Sequence, residues 1–149
     1  MTTEYQRNGL KITVSDLLLS PTNLMAGRRR VYMVTSPFRV IVRGTGLYEN
    51  IEVSSGFQTD LATIPLLAQV FIGARDNPGV LEASVIHDFA CVNNWPREKA
   101  NTMMYWMMLA FGVTRWRAAA IYLALMCFGY KSPLARLVRC FRQFFNMET

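Results

Sequence analysis

The chain holds one histidine, His87, and an aspartate, Asp88, follows it directly. Ser84 stands three residues before that histidine and Cys91 four after it. On a helix these positions share a side, so a hydroxyl, an imidazole, a carboxylate and a thiol line up along one stripe. A second cluster comes earlier, in Gly56-Phe57-Gln58-Thr59-Asp60-Leu61-Ala62-Thr63-Ile64-Pro65, where two hydroxyls bracket another carboxylate. Three chemistries would use these groups. A carboxylate beside an imidazole raises its basicity, making His87 a general base with Asp88 and Asp60 as its partners. Asp60, His87 and Asp88 could instead hold a divalent metal with positions open to water. Cys91, one turn from His87, could pair with it as nucleophile and base, although neighbours on one helix seldom aim at a common atom. A two-histidine zinc motif is excluded, and no C-x-x-C spacing occurs.

The competing reading is structural. The His-Asp pair would hydrogen-bond the turn that contains Asp60, and Thr59 and Asp60 would cap a helix starting near Pro65. Thr59, Thr63 and Ser84 then form a substrate-facing or fold-holding network around the carboxylates.

These residues need elements to position them. Residues 1–9 read as a loose leader. Residues 10–14, 28–34, 38–43 and 51–53 alternate or run apolar between turn signals and predict strands of a small antiparallel sheet, with Arg28, Arg29 and Arg30 a solvated edge. After Pro65 the period changes. An apolar segment over 66–72 and a loop through Pro78-Gly79 lead to a helix over 80–93, with Leu81, Val85, Phe89 and Val92 on its buried face. A methionine-rich helix runs from about residue 97 to Phe111 and stops at Gly112, and a third runs from Thr114 to Phe128. Methionines at 103, 104, 107 and 108 suit a core or a subunit interface. A fourth helix opens at Ser132-Pro133. In it Leu134, Leu137, Val138, Phe141 and Phe145 face one way, and Arg136, Arg139 and Arg142 the other. The expectation is an α+β single domain over 1–149, a small N-terminal antiparallel sheet followed by three to four helices, with 131–149 a basic amphipathic C-terminal helix.

Composition narrows the class. Hydrophobic residues make up 52% and charged residues 17% of 149, which excludes a disordered chain. The net charge of +6 admits an anionic polymer or membrane surface as partner. A surplus of solvated arginines is the preferred account of that charge, and nucleic acid is not the expected partner. Cys91, Cys127 and Cys140 are odd in number and widely spaced, which fits reduced thiols in apolar surroundings. No signal-peptide pattern opens the chain, and the apolar run over 118–128 is shorter than the ~20 residues a membrane span needs.

The pattern G-F-x-T-D-x-A-[ST]-x-P is met by Gly56, Phe57, Thr59, Asp60, Ala62, Thr63 and Pro65, and A-x-x-x-H-D by Ala83, His87 and Asp88. With Gly112, Val113 and Trp116 in G-V-x-x-W and a Phe128-Gly129 helix end, residues 30–130 resemble the DUF1353 family, a domain common in bacteriophages and prophages. Departures are Ser54 where a proline is frequent, Thr63 where serine is usual, and Phe89-Ala90-Cys91 where an aromatic and aliphatic pair is usual. The resemblance implies a phage-derived protein and treats Asp60, His87 and Asp88 as one unit, without assigning a reaction. The expected role is a virion structural or assembly component of tail or capsid. It would contact other phage proteins or a second copy, and would be made in the host cytoplasm and incorporated in the particle. The alternative is a small accessory hydrolase, metal-assisted and cell-wall directed, using Asp60, His87 and Asp88.

Overall fold

A computed structural model describes residues 2–7, 9–27, 29–44, 47–61 and 78–128. Thr63, the 66–72 segment and the stretch carrying Leu134, Leu137, Val138, Phe141 and Phe145 lie outside the described residues. The architecture is α+β: seven antiparallel strands in two sheets come first, and three helices follow among the described residues.

Strands β1 (Thr2–Arg7), β2 (Leu10–Ser15), β5 (Phe38–Gly44) and β6 (Leu47–Val53) form a sheet in the order β1-β2-β5-β6. Alternation is strict where one face is buried: Leu10, Ile12 and Val14 of β2, and Phe38, Val40 and Val42 of β5, all point into the core. Each such side chain contributes about 1.5–3 kcal/mol when fully buried. Strands β3 (Leu19–Ala26), β4 (Arg29–Val34) and β7 (Gln58–Thr59) make a second sheet in the order β3-β4-β7.

The expected single sheet is therefore two, and three local expectations change with it. Residues 2–7 are not a loose leader. They pair with β2, Arg7 Nη1 donates to the Leu109 carbonyl at 3.1 Å, and Tyr5 meets Phe111 edge-on at 4.8 Å. An edge strand exposed on nearly every residue has no hydrophobic period to betray it, but its ladder and these anchors fix it. By sequence the apolar run Leu17-Leu18-Leu19 ends at the turn signal Ser20-Pro21, yet Pro21 sits inside β3, an outer strand whose register shifts between Pro21 and Met25, a position that tolerates a missing N–H. The arginine-led β4 is the central strand of its sheet, not an edge.

Helices α1 (Pro78–Val92), α2 (Arg97–Ala110) and α3 (Arg115–Phe128) form the second half. α2 is the pivot, packing against α1 and α3 and against β1 and β2. Its Met103, Met104, Met107 and Met108 are all buried, so the methionine run is core, filling the uneven gap between sheet and helices. Glycine matters most at Gly44. Its φ is +121°, and a Cβ there would lie 2.1 Å from the Gly9 carbonyl oxygen, so the end of β5 packs against Gly9 only without a side chain.

Candidate functional site

The site sits where α1 passes between β7 and α2. The buried face of α1 is wider than the spacing of its large apolar residues predicts, and it does not include Val92. Val92 is 68% exposed, whereas Ser84 and His87 are 2% and 8% exposed. The helix is packed on two sides, so its polar stripe splits instead of facing one cleft. Ser84 Oγ donates to the Val80 carbonyl at 2.7 Å, satisfying itself within its own helix.

Asp88 turns toward β7. The buried Thr59 hydroxyl donates to Asp88 Oδ2 and accepts the Leu61 N–H at 3.1 Å. Leu61 has φ +54°, a left-handed conformation that costs an L residue about 1–2 kcal/mol, and the Thr59 hydroxyl ties down the backbone on that bend. Phe57 meets Phe89 edge-on at 5.7 Å across the same two elements. The expectation that the His-Asp pair engages the Asp60 turn is met by Asp88 and Thr59. Asp60 itself follows at the end of β7, half-buried.

His87, one residue earlier and about 100° round the helix, turns to α2 instead. Its Nε2–H donates to Asn101 Oδ1 at 2.7 Å, and Asn101 Nδ2 donates to Met126 Sδ on α3 at 3.1 Å. A thioether sulfur only accepts, so the amide nitrogen faces Met126 and the amide oxygen faces the ring. That places the ring proton on Nε2 and leaves the Nδ1 lone pair outward, where Cys91 Sγ lies 3.7 Å away. Burial lowers the His87 pKa below the ordinary imidazole value, with Arg97 adding to the effect. The hydrogen bond to Asn101 and the Asp88 charge oppose it. Partial desolvation of the thiol and the Asp88 charge push Cys91 up, while Arg97 opposes. Cys91 as a residue is exposed, so the expected apolar surroundings do not hold for it, and Cys127 is half-buried.

Among the described residues, no three of His, Cys, Asp and Glu converge on a point that could hold a metal ion. His87 and Asp88 are brought into one network of α1, but they aim at different elements. Asn101 was missed from the sequence. The available signal was an amide on the same helical stripe as Met104, Tyr105 and Met108, a buried position that an asparagine occupies only with partners. No described helix is long and apolar enough to cross a membrane.

No solved structure matches the chain. Two curated proteins of Sinorhizobium fredii (strain NBRC 101917 / NGR234) are similar to it. Uncharacterized protein y4iH is 34% identical over 93 residues, covering 60% of this chain and 36% of that protein. Uncharacterized protein y4jT is 35% identical over 78 residues, covering 52% of this chain and 23% of that protein. The match thus spans well under half the length of either relative. The family model for "Protein of unknown function (DUF1353)" matches residues 32–125, well over half of the chain and all of the network from Thr59 to Asn101, so the chain belongs to the DUF1353 family.

Proposed function

We propose that this chain is a phage-derived virion or assembly component, tail- or capsid-associated, that works through protein–protein contacts. One observation carries the reading: the two residues of the His-Asp motif each tie a different element into the fold instead of meeting at one centre. Asp88 accepts from Thr59 and His87 donates to Asn101, which ties β7 to α1 and α1 to α2. A hydrolase using Asp60, His87 and Asp88 at one centre needs those groups to converge, and their divergence favours the fold-holding role.

Surface composition supports contacts. Leu24 and Met25 stand exposed near the end of β3, and Trp116 opens α3 at 61% exposure. Large apolar side chains left in water on a chain with so full a core suit docking on other phage proteins or on a second copy. By sequence, residues 131–149 hold further large apolar side chains, Phe141 and Phe145 among them, that this reading assigns to contacts. In this reading the protein is made in the host cytoplasm and leaves it within the particle.

Quantitative mass spectrometry of particles purified from the host that carries the gene tests the proposal. Copies at a fixed stoichiometry to the major capsid protein are expected. Abundant protein in the producing cells with none in intact particles or in assembly intermediates would overturn it.

A further inference from the structure

The motif histidine keeps one nitrogen for the fold, but its other nitrogen faces a thiol. His87 is more than nine-tenths buried, its Nε2–H is held by Asn101 at 2.7 Å, and Nδ1 aims at Cys91 Sγ 3.7 Å away, at the protein surface. Asn101, at 1% exposure, is itself locked by Met126. The ring therefore has one tautomer and one orientation, with its lone pair directed at an exposed thiol. A nucleophile, a base within reach of it, and a third group orienting the base are the parts that thiol acyl transfer requires. We propose that Cys91 is an acyl-accepting nucleophile with His87 as its general base and Asn101 as the positioning residue, acting on a small carboxylic ester or thioester.

The step balances without a cofactor. Sγ attacks the acyl carbon as its proton passes to His87 Nδ1. The bond from that carbon to the leaving oxygen or sulfur breaks, and the leaving atom takes the electron pair and the proton from Nδ1. Water then attacks the thioester and gives a proton to Nδ1, and the departing Cys91 sulfur recovers it. The sum is ester plus water to acid plus alcohol, or thioester plus water to acid plus thiol. Arg97 at the start of α2 supplies positive charge near the thiol and imidazole and favours the anionic adduct, whereas Asp88 acts against it. The depressed histidine and raised thiol mean that the resting pair is neutral, so reaction depends on proton transfer to the ring and not on a standing thiolate. This activity is independent of whether the chain also serves in a particle.

The test uses the full chain and p-nitrophenyl acetate, reading p-nitrophenol release and intact mass between about pH 5.5 and 9.5, the range that spans ordinary imidazole and thiol ionisation. The expected result is a burst of one equivalent with the acetyl group on Cys91, followed by turnover. The burst rate should rise at the acid end and stay level through neutral pH, where the ring is already unprotonated. Cys91→Ala should abolish the burst, and His87→Gln should slow it about 100-fold, a usual contribution of a positioned base. Asn101→Leu should slow it and remove the neutral plateau, and Asn101→Asp, which keeps an acceptor for Nε2–H and adds a carboxylate that raises the ring's basicity, should restore a plateau whose acid edge lies at higher pH than in wild type. Acetylation that climbs with a full logarithmic slope into the alkaline range, at the rate of a free small thiol, would overturn the proposal. That outcome is read on the wild-type chain alone, so a variant that fails to fold does not protect the idea.

Discussion

Replacing Asn101 by leucine isolates the contact on which the fold-holding role of His87 depends. The substitution keeps the branched outline of the amide in a position 1% exposed, but it removes the acceptor 2.7 Å from His87 Nε2. The ring N–H is then buried without a partner, which costs about 1–3 kcal/mol. The lost contact to Met126 sulfur adds little, because a thioether is a weak acceptor. A fall of about 2 kcal/mol is expected, which for a domain of this size lowers Tm by about 4–8 °C. The decisive quantity is the coupling. In a His87→Leu background the same change leaves no orphaned donor, so Asn101→Leu should be nearly neutral and the double-mutant cycle should show about 2 kcal/mol of interaction. Urea unfolding followed by tryptophan fluorescence and circular dichroism measures all four proteins. Additive costs, with coupling below about 0.5 kcal/mol, would refute the reasoning and reduce Asn101 to a tolerated core polar residue.

Other consequences follow from the same packing. Thr59→Val removes the hydroxyl that bridges Asp88 and the Leu61 N–H, and it should cost about 1.5–3 kcal/mol as a hydrogen bond to a charged group; chemical denaturation reads it. Gly44→Ala should cost about 3 kcal/mol or more, because clash and left-handed strain add. Gly56→Ala, where no atom lies within 4 Å, should lose only about 1 kcal/mol from conformation. Met104→Ala or Met107→Ala should lower stability by about 2–5 kcal/mol through the cavity left at a fully buried site, measured by the urea midpoint. For pH, His87 has a folded pKa below its unfolded value, so the unfolded chain binds the extra proton. The neutral ring's contribution is complete above about pH 6.5 and is lost as pH falls from there through the folded value, with a slope of at most about 1.4 kcal/mol per pH unit. His87→Leu should flatten the urea midpoint across that window, and an unchanged slope would contradict the buried neutral ring.

How far the sequence could be read depended on which residues had one buried face. β2 and β5 alternate cleanly because the core takes every second side chain, and the helix boundaries at Gly112 and Thr114 follow turn chemistry. β1 and β3 carried no such period. One is an exposed edge, the other harbours a proline and a register shift, and tertiary anchors such as Arg7 on the Leu109 carbonyl hold β1 in place. The motif residues were visible as a set, and the link from the helix to the Asp60 turn was foreseen in kind. The direction of each side chain was not. Helical spacing put Ser84, His87, Asp88 and Cys91 on one stripe, but α1 is packed by β7 and α2 on different sides, so neighbours 87 and 88 serve different elements. Asn101 lies fourteen residues beyond His87, and no local spacing rule reaches across two helices.

The lone histidine makes the central claim directly measurable by long-range nitrogen–proton NMR of the ring. The fold-holding account predicts one neutral ring with its proton on Nε2 and Nδ1 unprotonated, titrating below the ordinary value of about 6.5 and undisturbed by added manganese, the cation a carboxylate site would take. A ring that titrates at the ordinary value, exchanges between tautomers, and broadens with metal in wild type but not in Asp60→Ala would contradict it. His87, Asp60 and Asp88 would then form an open, shared site.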